Sequence, residues 1–182
     1  MDIDLIEEKI KSEKVYDGVL LHVSRDTVKL PNGKQATREW ICHPGASAVI
    51  PLLPNGNIIL VRQYRYPMQK ITLEIPAGKL DAPDEDPLDC AMRELKEETG
   101  YTAGRIEKLT MIATTVGFSN ECIHIYAAEE LIPGEQCPDE DEFIHTVSVP
   151  LIEAEQMIAD GRIYDAKSVT AILLLKNKLA KK

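Results

Sequence analysis

Residues 77–101 read AGKLDAPDEDPLDCAMRELKEETGY, and the rest of the chain is organised around them. Asp86 followed by Pro87 gives a capping residue and then a proline at the first helical position, where a missing N–H costs nothing. Leu88, Ala91, Met92 and Leu95 recur at helical spacing and predict the packed face. Gly100 offers the left-handed backbone that commonly ends a helix. On this helix Glu94, Glu97 and Glu98 stand at i, i+3 and i+4, with Cβ atoms about 5–6 Å apart. Like charges so close repel, more so near the negative helix end, and a cation is expected among them. Arg93 can neutralise part of the charge. Carboxylate oxygens clustered without histidine or thiolate are the ligand set that suits Mg²⁺ or Mn²⁺. A solvated acidic face is the other reading of such a run, and the preceding IPAGK turn weighs against it.

Gly78, Glu85 and the run Arg93-Glu94-Leu95-Lys96-Glu97-Glu98-Thr99-Gly100-Tyr101 resemble the Nudix box, G-x5-E-x7-R-E-U-x-E-E-x-G-U, with Tyr101 in the final aliphatic place. Six residues, not five, separate Gly78 from Glu85. Either the loop KLDAPD carries an insertion or Asp84 takes the first acidic position. The resemblance spans roughly residues 46–180. It implies an α/β fold, the Nudix α/β/α sandwich with a mixed sheet.

Working outward, 182 residues with 44% apolar content suit one domain with room for a small appendage. A net charge of −9 argues against a nucleic-acid-binding surface. Cys42, Cys90, Cys122 and Cys137 lie far apart without a CxxC pair, which reads as reduced thiols in a cytoplasmic protein. No apolar run approaches the roughly 18 residues of a membrane span, and the acidic N-terminus lacks a signal-peptide core.

Residues 1–13 predict a helical turn or a loose end, 15–23 and 27–30 predict strands, and PNGK at 31–34 turns the chain into a strand at 35–43. Together these form a small N-terminal antiparallel β meander with a boundary near Pro44-Gly45. We therefore expect a strand subdomain at 1–45 and the main domain at 46–182. In the latter, SAVIPLL and NIILVRQY predict strands joined as a hairpin, with Pro51 marking an edge or bulge. ITLEIPAG is a further strand, followed after the helix by strands at 105–115, 122–129 and 143–149. Amphipathic helices are predicted at 150–161 and 165–179, the second opened by a capping Asp165.

The meander, with REW, HPGA, RQYR, EIPAGKL and DEDEF following, resembles the ADP-ribose pyrophosphatase branch of the family. That implies Mg²⁺-dependent hydrolysis of ADP-ribose to AMP and ribose 5-phosphate by a homodimer joined through its N-terminal strands. Hydrolysis of other nucleoside diphosphate sugars is the alternative within the enzyme class; a non-catalytic ADP-ribose sensor is the alternative outside it. Glu94 and Glu98 are the expected metal ligands, Glu97 a further or water-mediated one, and the Ala77 carbonyl is carried over from the family. Arg93 is expected to orient a carboxylate. A general base must stand outside the metal cluster. The resemblance puts it on the acidic loop 138–142, with Glu142 the first candidate and Glu140 the second. Arg65 presents a planar fork suited to phosphate oxygens. Arg38 and Trp40 close the meander. Trp40 either stacks on adenine across the dimer, as the resemblance implies, or anchors a core or interface. Glu74 and the loop with Gly117 and Phe118 are expected at the ribose end, although Val116 stands where the branch usually has proline.

Overall fold

The computed structural model describes residues 3–82 and 84–181. Residue contacts divide the chain into two units, Met1–Gly45 with Ala113–Glu121, and Ala46–Ile112 with Cys122–Lys182.

In the first unit a 3-10 turn at Ile3–Leu5 precedes β1 (Glu8–Asp17), β2 (His22–Lys29) and β3 (Gln35–Cys42), an antiparallel sheet in that order. The meander is therefore present with different strand bounds. The segment expected as a helical turn or a loose end has its turn at Ile3–Leu5 and runs on into β1, while Met1 and Asp2 lie outside the described residues. The strand expected at 15–23 is broken by a turn at Gly18, whose N–H donates to the Leu21 carbonyl at 2.9 Å. β1 escapes the usual pattern because every residue of it is exposed, so no apolar alternation marks it. Cross-strand ion pairs hold its register instead, Glu13 with Arg25 at 3.2 Å and Glu8 with Lys29 at 3.7 Å.

The second unit contains β4 (Ala46–Pro51), β5 (Asn57–Arg65), β6 (Lys70–Glu74), β7 (Ala77–Lys79), α1 (Pro87–Thr99), β8 (Thr102–Ala113), β9 (Cys122–Ile132), β10 (His145–Pro150), α2 (Leu151–Ala159) and α3 (Ala166–Leu179). Its mixed sheet has the order β7-β4-β9-β8, with β4 and β9 parallel, and a second, antiparallel sheet has the order β10-β5-β6. The turn between β4 and β5 forms, with the Gly56 N–H on the Leu53 carbonyl at 3.0 Å. The expected hairpin goes no further than this turn: Leu52 bridges Ile58 and the Leu53 N–H donates to the Asn57 carbonyl at 2.8 Å, but the two strands belong to different sheets. β4 is buried throughout, as an apolar run inside a parallel pair requires, so Pro51 marks its end and not an edge. Pro76, lacking an N–H, parts β6 from β7.

Alternate residues of β4 and β9 face opposite layers. Val49, Tyr126 and Ala128 pack with Ala91 and Leu95 of α1. Ala48, Ile50, Ile125 and Ala127 pack with Ala171, Ile172 and Leu175 of α3. This is the α/β/α layering anticipated, and each fully buried large aliphatic contributes about 1.5–3 kcal/mol. Among the described residues no helix is long and apolar enough to cross a membrane.

Candidate active site

α1 begins and ends as its sequence predicts. The Asp86 carboxylate accepts from the Leu88 N–H at 2.8 Å, Pro87 follows, and Gly100 at φ 78° caps the far end. One expectation for its packed face fails, because Met92 is exposed, while Glu94 and Glu98 are buried at 7% and 2% exposure. Arg93 gathers the surrounding acids. Its guanidinium reaches Glu94 at 2.7 Å, Glu97 at 3.0 Å, and Glu85 and Asp81 at 3.4 Å each. Glu85 is thus an acid that meets the arginine across the lengthened loop. It also accepts from the Asp81 N–H at 2.6 Å, which closes that loop.

Burial, with Glu97 and Glu142 adding to it and Arg93 opposing, pushes the Glu94 carboxyl up to about 7. Burial and the neighbouring Glu94 push Glu98 up to about 8, against the Ala77 N–H that donates to its Oε2 at 3.1 Å. Two buried carboxyls, one of which raises the other, are costly without a cation. Gly78 leaves the space Glu94 occupies, since a Cβ there would lie 1.8 Å from Glu94 Oε1. An oxygen-only donor set, buried and mutually repelling, fits a hard divalent ion. Among the described residues no three histidine, cysteine or acidic side chains already surround a common point, and Arg93 meanwhile occupies Glu94 and Glu97.

Beside the acids lies a chain of ion pairs that sequence reasoning did not join. Arg65 grips Glu74 with two bonds, Nε to Oε1 at 2.9 Å and Nη2 to Oε2 at 2.7 Å. Thr72 Oγ1 donates to Glu74 at 2.6 Å, and Lys167 Nζ donates to Glu74 Oε2. Burial alone would raise the Glu74 carboxyl, but Arg65 and Lys167 outweigh it and bring it down to about 2. Glu74, expected at the ribose end, is 3% exposed and engaged by Arg65, Thr72 and Lys167. Lys167 also explains Asp165. Its carboxylate makes no cap bond to α3 and instead takes the lysine at 2.9 Å. A lysine entering a largely apolar helix was the available signal.

The acidic loop is laid against α1 by the Cys137 N–H, which donates to the Glu97 carbonyl at 3.0 Å. Partial burial, then Asp139 and Asp141, raise the Glu142 carboxyl while Arg65 opposes. Glu142 in turn bears on both Glu94 and Glu98. Glu140 is exposed on the preceding turn.

The remaining predicted residues belong to the first unit. Trp40 Nε1 donates to Asp26 Oδ2 at 3.1 Å, and Arg38 pairs with Glu7. The loop with Gly117 and Phe118 is tied to the end of β3. The Ile41 N–H donates to the Phe118 carbonyl at 2.8 Å, and the His43 N–H donates to Asn120 Oδ1 at 2.7 Å. Asn120 Nδ2 returns a bond to the His43 carbonyl at 3.3 Å.

Comparison with known proteins agrees with this layout. The NUDIX domain profile matches residues 43–171, and that of the nucleoside diphosphate sugar hydrolase N-terminal domain matches residues 7–41. The chain is 46% identical to a methanol dehydrogenase activator of Bacillus methanolicus, covering 94% of each. It is 42% identical to an ADP-ribose pyrophosphatase of Bacillus subtilis (strain 168), covering 97% of this chain and 96% of the other. A solved structure of an ADP compounds hydrolase superposes with a TM-score of 0.85 at 25% identity, covering 96% of this chain and 95% of that one.

Proposed function

The chain belongs to the NUDIX domain family, and from that premise we propose that it is a divalent-metal-dependent hydrolase that splits ADP-ribose into AMP and ribose 5-phosphate. The observation that carries this reading is the joint burial of Glu94 and Glu98 beside Gly78, an arrangement that a cation would stabilise. Glu94 and Glu98 would hold Mg²⁺ or Mn²⁺, with Glu97 as a further or water-mediated ligand and the Ala77 carbonyl as another. Such an ion, when bound, lowers the pKa of a water and offsets the charge of the diphosphate oxygens.

The side chains do the rest. Glu142, with Glu140 as second candidate, accepts the proton of the attacking water as its oxygen bonds to one phosphorus. The bond from that phosphorus to the bridging oxygen then breaks, and the bridging oxygen leaves with the other phosphate. Arg93 orients the carboxylates, and Arg65 donates to a phosphate oxygen. Trp40 stacks on the adenine, with Arg38, Gly117 and Phe118 completing the nucleotide sugar site. Residues 1–45 form the dimerisation subdomain of a cytoplasmic homodimer, and 46–182 the catalytic domain.

Purified protein is incubated with Mg²⁺ and a panel of nucleoside diphosphate sugars, and the products are identified. AMP from ADP-ribose supports the proposal. Turnover of another member alone assigns a different leaving group to the same chemistry. Binding of ADP-ribose by calorimetry without any product would make the chain a sensor.

A further inference from the structure

We propose that Lys167, buried at the start of α3, is a positioning residue for this hydrolysis: through Glu74 it holds the Arg65 guanidinium in place for the diphosphate. The inference rests on the function proposed above. Four charged side chains alternate in sign along one path, Asp165, Lys167, Glu74 and Arg65, with Lys167 Nζ bonded to both acids. The path runs from the core outward. The Lys167 and Glu74 side chains are 9% and 4% exposed, whereas that of Arg65 is 41% exposed.

Stability is a poor reason for such a chain. Replacing a buried ion pair by apolar side chains of similar volume is often neutral or stabilising, and position 167 adjoins a core of Ile, Leu and Ala. What the chain does achieve is at its outer end. Glu74 takes one hydrogen each of Nε and Nη2 of Arg65, which fixes the plane of the guanidinium and leaves the two Nη1 hydrogens and the second Nη2 hydrogen on its outer edge. Glu74 stands three residues before Ala77, whose N–H donates to Glu98 Oε2 at 3.1 Å, so the held group lies next to the strand that meets the acids. A guanidinium fixed before binding loses less rotamer freedom when it meets phosphate. The bidentate grip on Arg65 needs an ionised Glu74, and at 3% exposure Arg65 itself and Lys167 on the other side together keep Glu74 ionised, while the Thr72 hydroxyl adds a hydrogen bond.

The test is a double-mutant cycle in the full chain. Lys167→Met and Arg65→Ala are assayed singly and together with ADP-ribose and Mg²⁺, with thermal melts alongside. Lys167→Met is expected to raise KM roughly tenfold with kcat changed less than about threefold, as loss of one charge-assisted phosphate contact would. Because Lys167 acts through Arg65, the double variant should bind no worse than Arg65→Ala alone. An unchanged KM, or losses that add, overturns the inference. Thr72→Val removes the hydroxyl bond to Glu74 and keeps the lysine; it should raise KM in the same direction by a smaller factor. If Lys167→Met fails to fold, Thr72→Val with Arg65→Ala completes the cycle under the same criterion. These outcomes presuppose an active wild type. A wild-type protein that hydrolyses no nucleoside diphosphate sugar overturns the hydrolase reading and takes this inference with it, whereas one that turns over another member of the panel is carried through the same cycle with that substrate.

Discussion

Gly78→Ala should abolish most activity while leaving the fold intact. The added Cβ would lie 1.8 Å from Glu94 Oε1, 2.2 Å from its Cδ and 2.7 Å from Oε2, where contacts under 3.0 Å are essentially never seen. The carboxylate must therefore retreat by more than about 1 Å, and a misplacement of that size costs on the order of 10²-fold in rate, about 2.7 kcal/mol. The effect on stability is different. Crowding at the new methyl costs about 1–3 kcal/mol. Glu94, however, leaves a site whose burial holds its carboxyl at about 7, and escape from that site recovers on the order of 3 kcal/mol at neutral pH. The two nearly cancel. Steady-state AMP release and a thermal melt in EDTA measure both. Wild-type kcat/KM in the variant would refute the placing of Glu94 in the metal site. A loss of activity that merely follows unfolding would refute the claim that the two effects separate.

Glu142→Gln should lower kcat with metal affinity, measured by titration calorimetry, nearly intact; if Glu140→Gln does so instead, the order of the two candidates is reversed. Trp40→Ala should raise KM for ADP-ribose more than it lowers kcat, and monomers of normal affinity on a sizing column would make Trp40 an interface anchor only. The pH dependence of stability has a definite sign. Glu94 and Glu98, raised to about 7 and about 8, bind protons more tightly folded than unfolded. Their protonated forms add stability at low pH that is lost as pH climbs from about 4.5 through about 8. In EDTA the melting temperature should fall by a few degrees between about pH 5 and about pH 8, and Mg²⁺ should flatten the fall. Glu74, depressed to about 2, contributes stability that is fully present above about pH 4.5 and lost only as pH falls toward about 2, so it stays constant across that window. A level profile in EDTA would remove Glu94 and Glu98 from the buried cluster.

Helix α1 was legible because its signals are local: a cap, a proline, a glycine, and acids one turn apart. Its packed face was only partly so, since burial of Glu94 in place of Met92 depends on Gly78, which pattern alone does not connect to the helix. The first strand was missed because a strand exposed on every residue has no period-2 signal. The hairpin was wrongly paired for a related reason. An Asn-Gly turn fixes a reversal of direction, but the choice of partner for β4 is decided by β9, more than seventy residues later. Asp165 was read as a cap because a cap is its commonest use at a helix start. Lys167, two residues on, competes for the same carboxylate and wins.

The tether of Phe118, Asn120 and Glu121 to Ile41 and His43 bears on how genes of this family recombine. A chimera that exchanges the first 45 residues between relatives, and nothing else, would pair a foreign β3 with the native 113–121 loop. The backbone bond at Ile41 would survive any sequence, but the side-chain clasp between Asn120 and His43 would be left to chance. A workable crossover has to carry two separate stretches of the gene, because residues that pack as one unit are not written as one.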